Sequence, residues 1–282
     1  MPGAGELTHL KDWIGRTETR RDVVTAAPLA ALAALLDRDD PPARVGDAAP
    51  ALSHWLYFAS SYRQSEVGPD GHALKGGFLP PVPLPRRMWA GSRIEFARPL
   101  RVGAEVTRVS TIREVTPKEG RSGPLVFVTV RHEVSDEGGL VVADEHDIVF
   151  RGETELAPAG RPAPRGETWR REIHPDPVLL FRYSAVTSNS HRIHYDHPYA
   201  TEVEGYAGLV VHGPLIATLL IDLLRRNMPS ATVRTFAFRA TKPLFDTSAF
   251  ATCGLPDDAG RAARLWTRDA EGESTMEASA TW

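Results

Sequence analysis

Apolar residues are densest near the C-terminal third of the chain, in GPLIATLLIDLLRRN, where only Thr218 and Asp222 are polar between Leu215 and Leu224. A helix that is apolar nearly all round must be enclosed on most sides. Pro214 suits its first turn, Arg225 and Arg226 match its negative end, and Pro229 follows it. What comes next alternates apolar and polar: TVRTFAFRA, then about Ala249 to Gly254, Ala262 to Arg268 and Thr275 to Trp282. Asp257-Asp258 and Glu271-Gly272 read as the turns between them. The pattern predicts an antiparallel sheet curled around the helix. An earlier stretch has the same alternation, in SRIEFARPLRVGAEVTRVSTIREVTPKEG, LVFVTVRHEVSDEGG and LVVADEHDIVFRG. It predicts a second meander.

The two stretches share a short likeness, Ile94 to Leu100 (IEFARPL) against Phe238 to Leu244 (FRATKPL). A repeated helix-plus-sheet unit accounts for the length and for both sheets. The expected division is 1–156 for the first unit, a proline-rich linker over 157–177, and 178–282 for the second. The class is α+β. Ahead of the first meander the pattern predicts a short helix from Leu7 to Ile14 and another from Ala27 to Leu36. Thr17-Glu18-Thr19 with Arg20-Arg21 reads as a turn or a ligand surface, Pro41 to Pro50 as a loop, and His54 to Phe58 as a strand. Gly68 to Pro85 is too rich in glycine and proline to be regular, and a loop that long calls for a function or a partner surface.

Composition narrows the classes. With 42% hydrophobic residues and a formal net charge of −3, the chain is an ordinary globular protein without a basic surface for nucleic acid. No apolar run reaches the roughly 18 to 20 residues that span a bilayer, so no membrane partner is expected. Met1 to Gly5 has no basic-then-apolar signal pattern. The single cysteine, Cys253, rules out an internal disulfide and fits a reducing cytoplasm.

Candidate chemistry gathers just before the apolar helix. FRYSAVTSNSHRIHYDHPYA places Asn189, His191, His194 and Asp196 within eight residues, and His212-Gly213 opens the helix. Unpaired N–H groups and the positive dipole end at Gly213 suit an oxyanion. Each residue also has a plainer reading. Asp196 serves as a turn cap, His191 as a structural histidine, and His212 as packing at the helix start. Two histidines three apart with an aspartate suggest a metal, but no helix or cysteine pattern supports one. The residues alone give a site of undetermined chemistry, with no metal and no cofactor expected.

Two motifs go further. Tyr183-Ser184-Ala185-Val186-Thr187, Ile193-His194-Tyr195-Asp196 and His212-Gly213-Pro214-Leu215-Ile216-Ala217-Thr218 resemble the hydratase-2 motif of the MaoC-like (R)-specific enoyl-thioester hydratases. The family's catalytic Asp falls on Asn189 and its Asn on His191, and NSHRIHYD is similar to a side branch. That branch holds 3-hydroxyacyl-thioester dehydratase 2 and mesaconyl-C4-CoA hydratases. The resemblance implies a double hot-dog fold, each unit a central helix wrapped by a curved sheet. The pair would form a pseudo-dimer within one chain, itself able to form a homodimer. Only the second unit keeps the motif. The implied reaction is hydration of a 2-enoyl thioester, or the reverse dehydration, on an acyl-CoA or acyl-carrier-protein substrate. No cofactor is needed.

In that reaction His194 is the expected general base. The Gly213 N–H would hold the thioester oxygen, a donor worth about 3 kcal/mol. Asn189 can only orient water or substrate, because an amide neither gives nor takes a proton. Tyr183, His212 and Asp196 are expected to line the site. Arg192 and Arg87 are candidates for a substrate carboxylate, with coenzyme A phosphates or solvent as the plainer partners. Three rivals remain. A straight-chain dehydratase of fatty-acid type is one. A hot-dog thioesterase is another, although Asp222, two turns in from the helix start, lies too deep to be its carboxylate. The third is a non-catalytic acyl-binding module.

Overall fold

The computed structural model describes residues 4–59, 62–120, 123–152 and 160–282. The first half begins with a 3-10 helix (Ala4–Trp13), β1 (Thr17–Val23) and α1 (Ala26–Leu35). A long irregular segment then leads to β2 (Arg86–Phe96), β3 (Glu105–Gly120), β4 (Gly123–Asp136) and β5 (Gly139–Arg151). The second half follows with β6 (Arg161–Pro162), β7 (Trp169–Ile173), α2 (Pro177–Val186), α3 (Gly213–Asn227), β8 (Thr235–Ala240), β9 (Phe250–Pro256), β10 (Ala262–Arg268) and β11 (Glu273–Thr281).

All the strands join one antiparallel sheet in the order β1-β3-β4-β5-β2-β8-β11-β10-β9-β7, with β6 on β11. Counted inward from either edge, the order of the two halves is the same. Each half is therefore one copy of a five-stranded unit, and the copies meet where β2 pairs with β8. The sequence likeness begins on these two seam strands. The seam is close: Gly91 pairs with Arg239, and a Cβ at Gly91 would overlap the Phe238 carbonyl oxygen.

The apolar helix is α3, and it crosses the concave side of the second half against β7, β9, β10 and β11. Every residue from Leu215 to Leu224 is buried. Asp222 is buried at the far end of α3. It accepts from Arg38 (3.0 Å), Arg171 (2.8 Å) and Arg226 (2.7 Å), which ties α3 to β7 and the end of α1.

The first half departs from the expected plan of one central helix per unit. In strand order α1 is the counterpart of α2, not of α3, and it packs on α2 and on a turn at Ser53–Leu56. Among the described residues no long helix lies in the first sheet's hollow. The stretch His54 to Phe58, expected as a strand, is instead a 3-10 turn bracketed by left-handed residues, Leu52 at φ 70° and Phe58 at φ 60°. It brings His54 and Trp55 onto a buried carboxylate. Asp144 Oδ2 accepts from His54 Nε2 (3.0 Å), Trp55 Nε1 (2.9 Å) and His146 Nε2 (2.7 Å). Trp55, Trp89 and Phe238 form an aromatic group beside this polar network.

Three other expectations change. Thr17 to Arg21 is not a turn but part of β1, registered on β3. The span 157–177 includes β7, an edge strand of the second sheet paired with β9. Ahead of the site loop, Tyr183 and Ser184 lie on α2, whose start is capped by Asp176 accepting from the Leu179 N–H (2.7 Å). Part of the proline-rich segment has a structural use as well. Val82 and Leu84, with Leu7 and Leu10 of the first helix, cover Ile112, Val126, Val128 and Phe150.

Candidate active site

Helix α2 delivers the chain to the site and α3 carries it away. Thr187 closes α2 by donating from Oγ1 to the Tyr183 carbonyl (2.7 Å), and Ser188 at φ 52° turns the chain out of the helix. The half-buried Asn189 accepts the His191 N–H on its side-chain oxygen (3.0 Å), which sets the short turn Arg192–His194. His194 is buried at the end of that turn.

The His194 Nδ1 lies 2.7 Å from the Val210 carbonyl oxygen. A carbonyl only accepts, so Nδ1 carries the hydrogen and Nε2 keeps its lone pair. Burial pushes the pKa of His194 down to about 4, against the opposing effect of the Val210 contact. The ring is therefore neutral at pH 7 and can take a proton. It stacks on His212 with centroids 3.7 Å apart and planes 19° apart. His212 is fully enclosed, bonds Ser184 Oγ through Nε2 (2.8 Å), and is held well below the usual histidine range by burial. Tyr183 is also buried, 5.0 Å from the His212 ring centroid. Tyr183, Ser184 and His212 thus form a wall behind His194, so the structure gives Tyr183 and His212 supporting positions. Gly213 comes next. It is half-buried, and its N–H has no partner among the described residues, as expected for the first residue of a helix.

The first half contributes residues from the segment whose glycines and prolines predict only an irregular loop. Its Gly68–His72 turn lies directly on the site loop. The Asp70 carbonyl accepts the Arg192 N–H (2.9 Å), and the Gly71 carbonyl accepts Ser190 Oγ (2.5 Å). Gly71 has φ +89°, and a Cβ there would overlap the Ser190 carbonyl oxygen. This approach places His72 at 4.1 Å from His191, centroid to centroid, and His191 at 5.3 Å from His194. Burial would raise the Asp70 carboxyl, but the ring and backbone N–H of His72 more than offset it and hold it below the usual range. The Asp70–His72 contact (Oδ2 to Nδ1, 3.0 Å) is therefore a carboxylate accepting from Nδ1–H. Burial lowers His72 too, with Asp70 opposing, and takes His191 down to about 2.

Of the residues singled out for a substrate carboxylate, Arg192 is engaged within the protein. It pairs with Asp196 (2.7 Å), donates to the Pro69 carbonyl (3.0 Å) and lies 4.0 Å over the Tyr199 ring. Asp196 also accepts the Tyr199 N–H (3.2 Å), so both residues hold the loop in shape. Arg87 differs. It is half-buried on β2, close enough to Asp70, His72 and His191 to act on their charge, and no described residue hydrogen-bonds its guanidinium. Asp70, His72 and His191 bring three ligand-type atoms within 4.8 Å of one another. For all three to hold a cation, the Asp70–His72 hydrogen bond would have to open. A groove of about 550 Å³ elsewhere, along the β2–β8 seam by Arg93, Asp147 and Trp266, touches none of these groups.

A model of the hydroxyacyl-thioester dehydratase type 2 family matches residues 52–246, from the turn beneath Asp144 through the site loop and α3 to β8. The chain belongs to that family. Mesaconyl-C4-CoA hydratase of Chloroflexus aurantiacus is 46% identical to it over 248 residues, covering 87% of this chain and 88% of that one. Among solved structures, a MaoC-like dehydratase from Phytophthora capsici superposes with a TM-score of 0.68 at 15% identity, covering 97% of both chains. A Mycobacterium tuberculosis protein described as a double hot dog superposes at 0.59 with 14% identity, covering 99% of this chain and 98% of that one. The fold is the double hot dog. No described helix is long and apolar enough to cross a membrane.

Proposed function

We propose that the protein is a hydro-lyase that adds water to a 2-enoyl thioester and removes it from the 3-hydroxyacyl thioester, with a small dicarboxylic acyl-CoA of the mesaconyl-C4 type as substrate. The observation that carries the reaction is His194, which is neutral, fixed through Nδ1–H and left with a lone pair on Nε2, beside the unpaired Gly213 N–H. In hydration, His194 takes a proton from water as the oxygen bonds to the β carbon. Charge builds on the thioester oxygen, where the Gly213 N–H and the positive end of α3 stabilise it. The Asn189 amide orients water or acyl group without moving a proton.

The β2 backbone closes on the helix start, the Trp89 carbonyl oxygen lying 3.7 Å from where a Gly213 Cβ would stand. This close approach favours a short acyl group. In a mesaconyl-C4 thioester the second carboxylate is on the β carbon itself, so it would sit beside the attacking water. A buried carboxylate needs a cation or several donors. Arg87 is the half-buried arginine next to His72 and His191 that no described residue occupies. The relative from Chloroflexus, named for that substrate, favours the same reading.

A thioesterase would need a carboxylate in reach, and Asp222 is enclosed by three arginines. The lone, buried Cys253 suits a reducing cytoplasm. The test is loss of the ultraviolet band of the conjugated enoyl thioester on mesaconyl-C4-CoA and crotonyl-CoA. Turnover of mesaconyl-C4-CoA well above crotonyl-CoA is expected. Faster crotonyl-CoA turnover means a straight-chain dehydratase, and binding without turnover of either means an acyl-binding module.

A further inference from the structure

Adding water across the double bond moves two protons, one off the water and one onto the α carbon, and the reading above uses one histidine. Asn189 of the site loop cannot be the second carrier, because an amide neither gives nor takes a proton. The Gly68–His72 turn of the first half places another imidazole at the site. His72 and His194 are built alike. Each ring is anchored through Nδ1–H, one on the Asp70 carboxylate (3.0 Å) and the other on the Val210 carbonyl (2.7 Å). In each, Nε2 is left without a described partner. His72 is close enough to His194 and to His191 for its charge to be felt at both. An imidazole backed by a carboxylate is the arrangement that fixes a tautomer and stabilises the protonated ring.

We infer that His72, oriented by Asp70, is a second catalytic residue that carries the α-carbon proton while His194 serves the water. The inference rests on the hydro-lyase reading. In hydration, His194 Nε2 accepts the water proton as the oxygen–carbon bond forms, and the double-bond pair moves to the thioester oxygen as an enolate. When the carbonyl re-forms, that pair takes the proton from Nε2 of His72, making the α C–H bond and leaving His72 neutral. His194 returns its proton to solvent and His72 regains one, so the net change is one water added. The charged or titratable groups around His72 are Asp70, which favours its protonated form, and Arg87, Lys75, His191 and His194, which oppose it. A carboxylate bound beside Arg87 adds a negative charge where it is needed. The site is then shared between the halves, with His72 from the first and His194 and Gly213 from the second.

The test separates the two protons. Exchange of the α hydrogens of butyryl-CoA for deuterium in D2O needs the α-carbon base and the Gly213 N–H, but no attacking water. Wild type, His72→Gln, Asp70→Asn and His194→Gln are compared for this exchange and for hydration, with circular dichroism and melting to confirm folding. The expected result is that His72→Gln lowers the hydration kcat by about 10² to 10⁴ with little change in KM and loses exchange. His194→Gln should lose hydration but keep exchange, and Asp70→Asn should weaken both partially. Near-normal hydration in folded His72→Gln overturns the inference. So does retained exchange in that variant, or loss of activity to EDTA that a divalent cation restores. A wild-type protein that hydrates no enoyl thioester refutes the parent reading instead.

Discussion

Replacing Asp144 with alanine tests whether the polar network in the first half does the structural work that α3 does in the second. The side chain is 1% exposed, and its Oδ2 accepts three hydrogen bonds, from His54, Trp55 and His146. Truncation strands three donors, His54 buried and Trp55 and His146 half-buried, each costing up to about 1 to 3 kcal/mol if nothing replaces the acceptor. Water entering the vacated space recovers part of this, so a net loss of about 3 to 5 kcal/mol is expected, the range for breaking a buried charged network. For a chain of this length that is a fall of roughly 5 to 8 °C in melting temperature. Urea titration followed by tryptophan fluorescence reads it, since Trp55 and Trp89 lie in the network or against it. Acid dependence provides a second check. Burial opposes the Asp144 charge, but His146 and His54 more than offset it and hold the carboxyl well below its ordinary range. A depressed carboxyl contributes stability above its unfolded pKa of about 4 and loses it as pH falls through the folded value. Wild type should therefore lose stability below about pH 4 more steeply than Asp144→Asn. A loss under about 1 kcal/mol for Asp144→Ala, or parallel acid profiles, would refute the argument.

Three further outcomes are expected. His194→Ala should keep the fold and lose roughly 10² to 10⁴ in hydration rate, read at the thioester band, and near-normal activity would sink its role as base. Arg87→Gln should lose mesaconyl-C4-CoA selectively over crotonyl-CoA, whereas equal loss on both substrates would assign it to coenzyme A and no loss would remove it from the site. Asp222→Ala should lower the melting temperature, by a loss of about 3 to 5 kcal/mol, with kcat of the folded enzyme unchanged. A kcat that collapses in folded protein would return the carboxylate to the chemistry.

The second half was far more legible in the sequence than the first, and the reason is physical. Leu215 to Leu224 is apolar on every face because a sheet encloses it, and a run like that has one reading. Its start and end signals gave α3 to within a residue or two, and the alternation gave β8 to β11. The first half's hollow holds no such helix among the described residues. Its contents are tertiary: His54, Asp144 and His146 are far apart in sequence and meet only because β5 and the 53–56 turn face each other. Period alone read His54–Phe58 as a strand, since aromatic and apolar residues favour strands and nothing local announces two left-handed residues around a turn. Helix α2 was missed for a related reason, its polar residues obscuring a short helix whose signals were Asp176 and Pro177.

The same distinction explains which site residues could be found. Asn189, His194 and Gly213 are close in sequence and carry a motif. Asp70 and His72 are more than a hundred residues away, in a loop whose glycines and prolines said only that it was irregular. The signal was there in a weak form: Pro69-Asp70-Gly71-His72 sets a carboxylate two residues from an imidazole, across a glycine. What makes that spacing matter is Gly71, whose left-handed backbone lets the turn rest against Ser190 with no side chain between them. Fusion of two units in one chain makes this possible. In a pair of identical hot dogs, any change that suits one site is imposed on the other. Here the first half has no central helix among its described residues, and its irregular segment reaches from Asp144 to the site loop. One half holds the helix end and the proposed base, and the other supplies the groups placed against them.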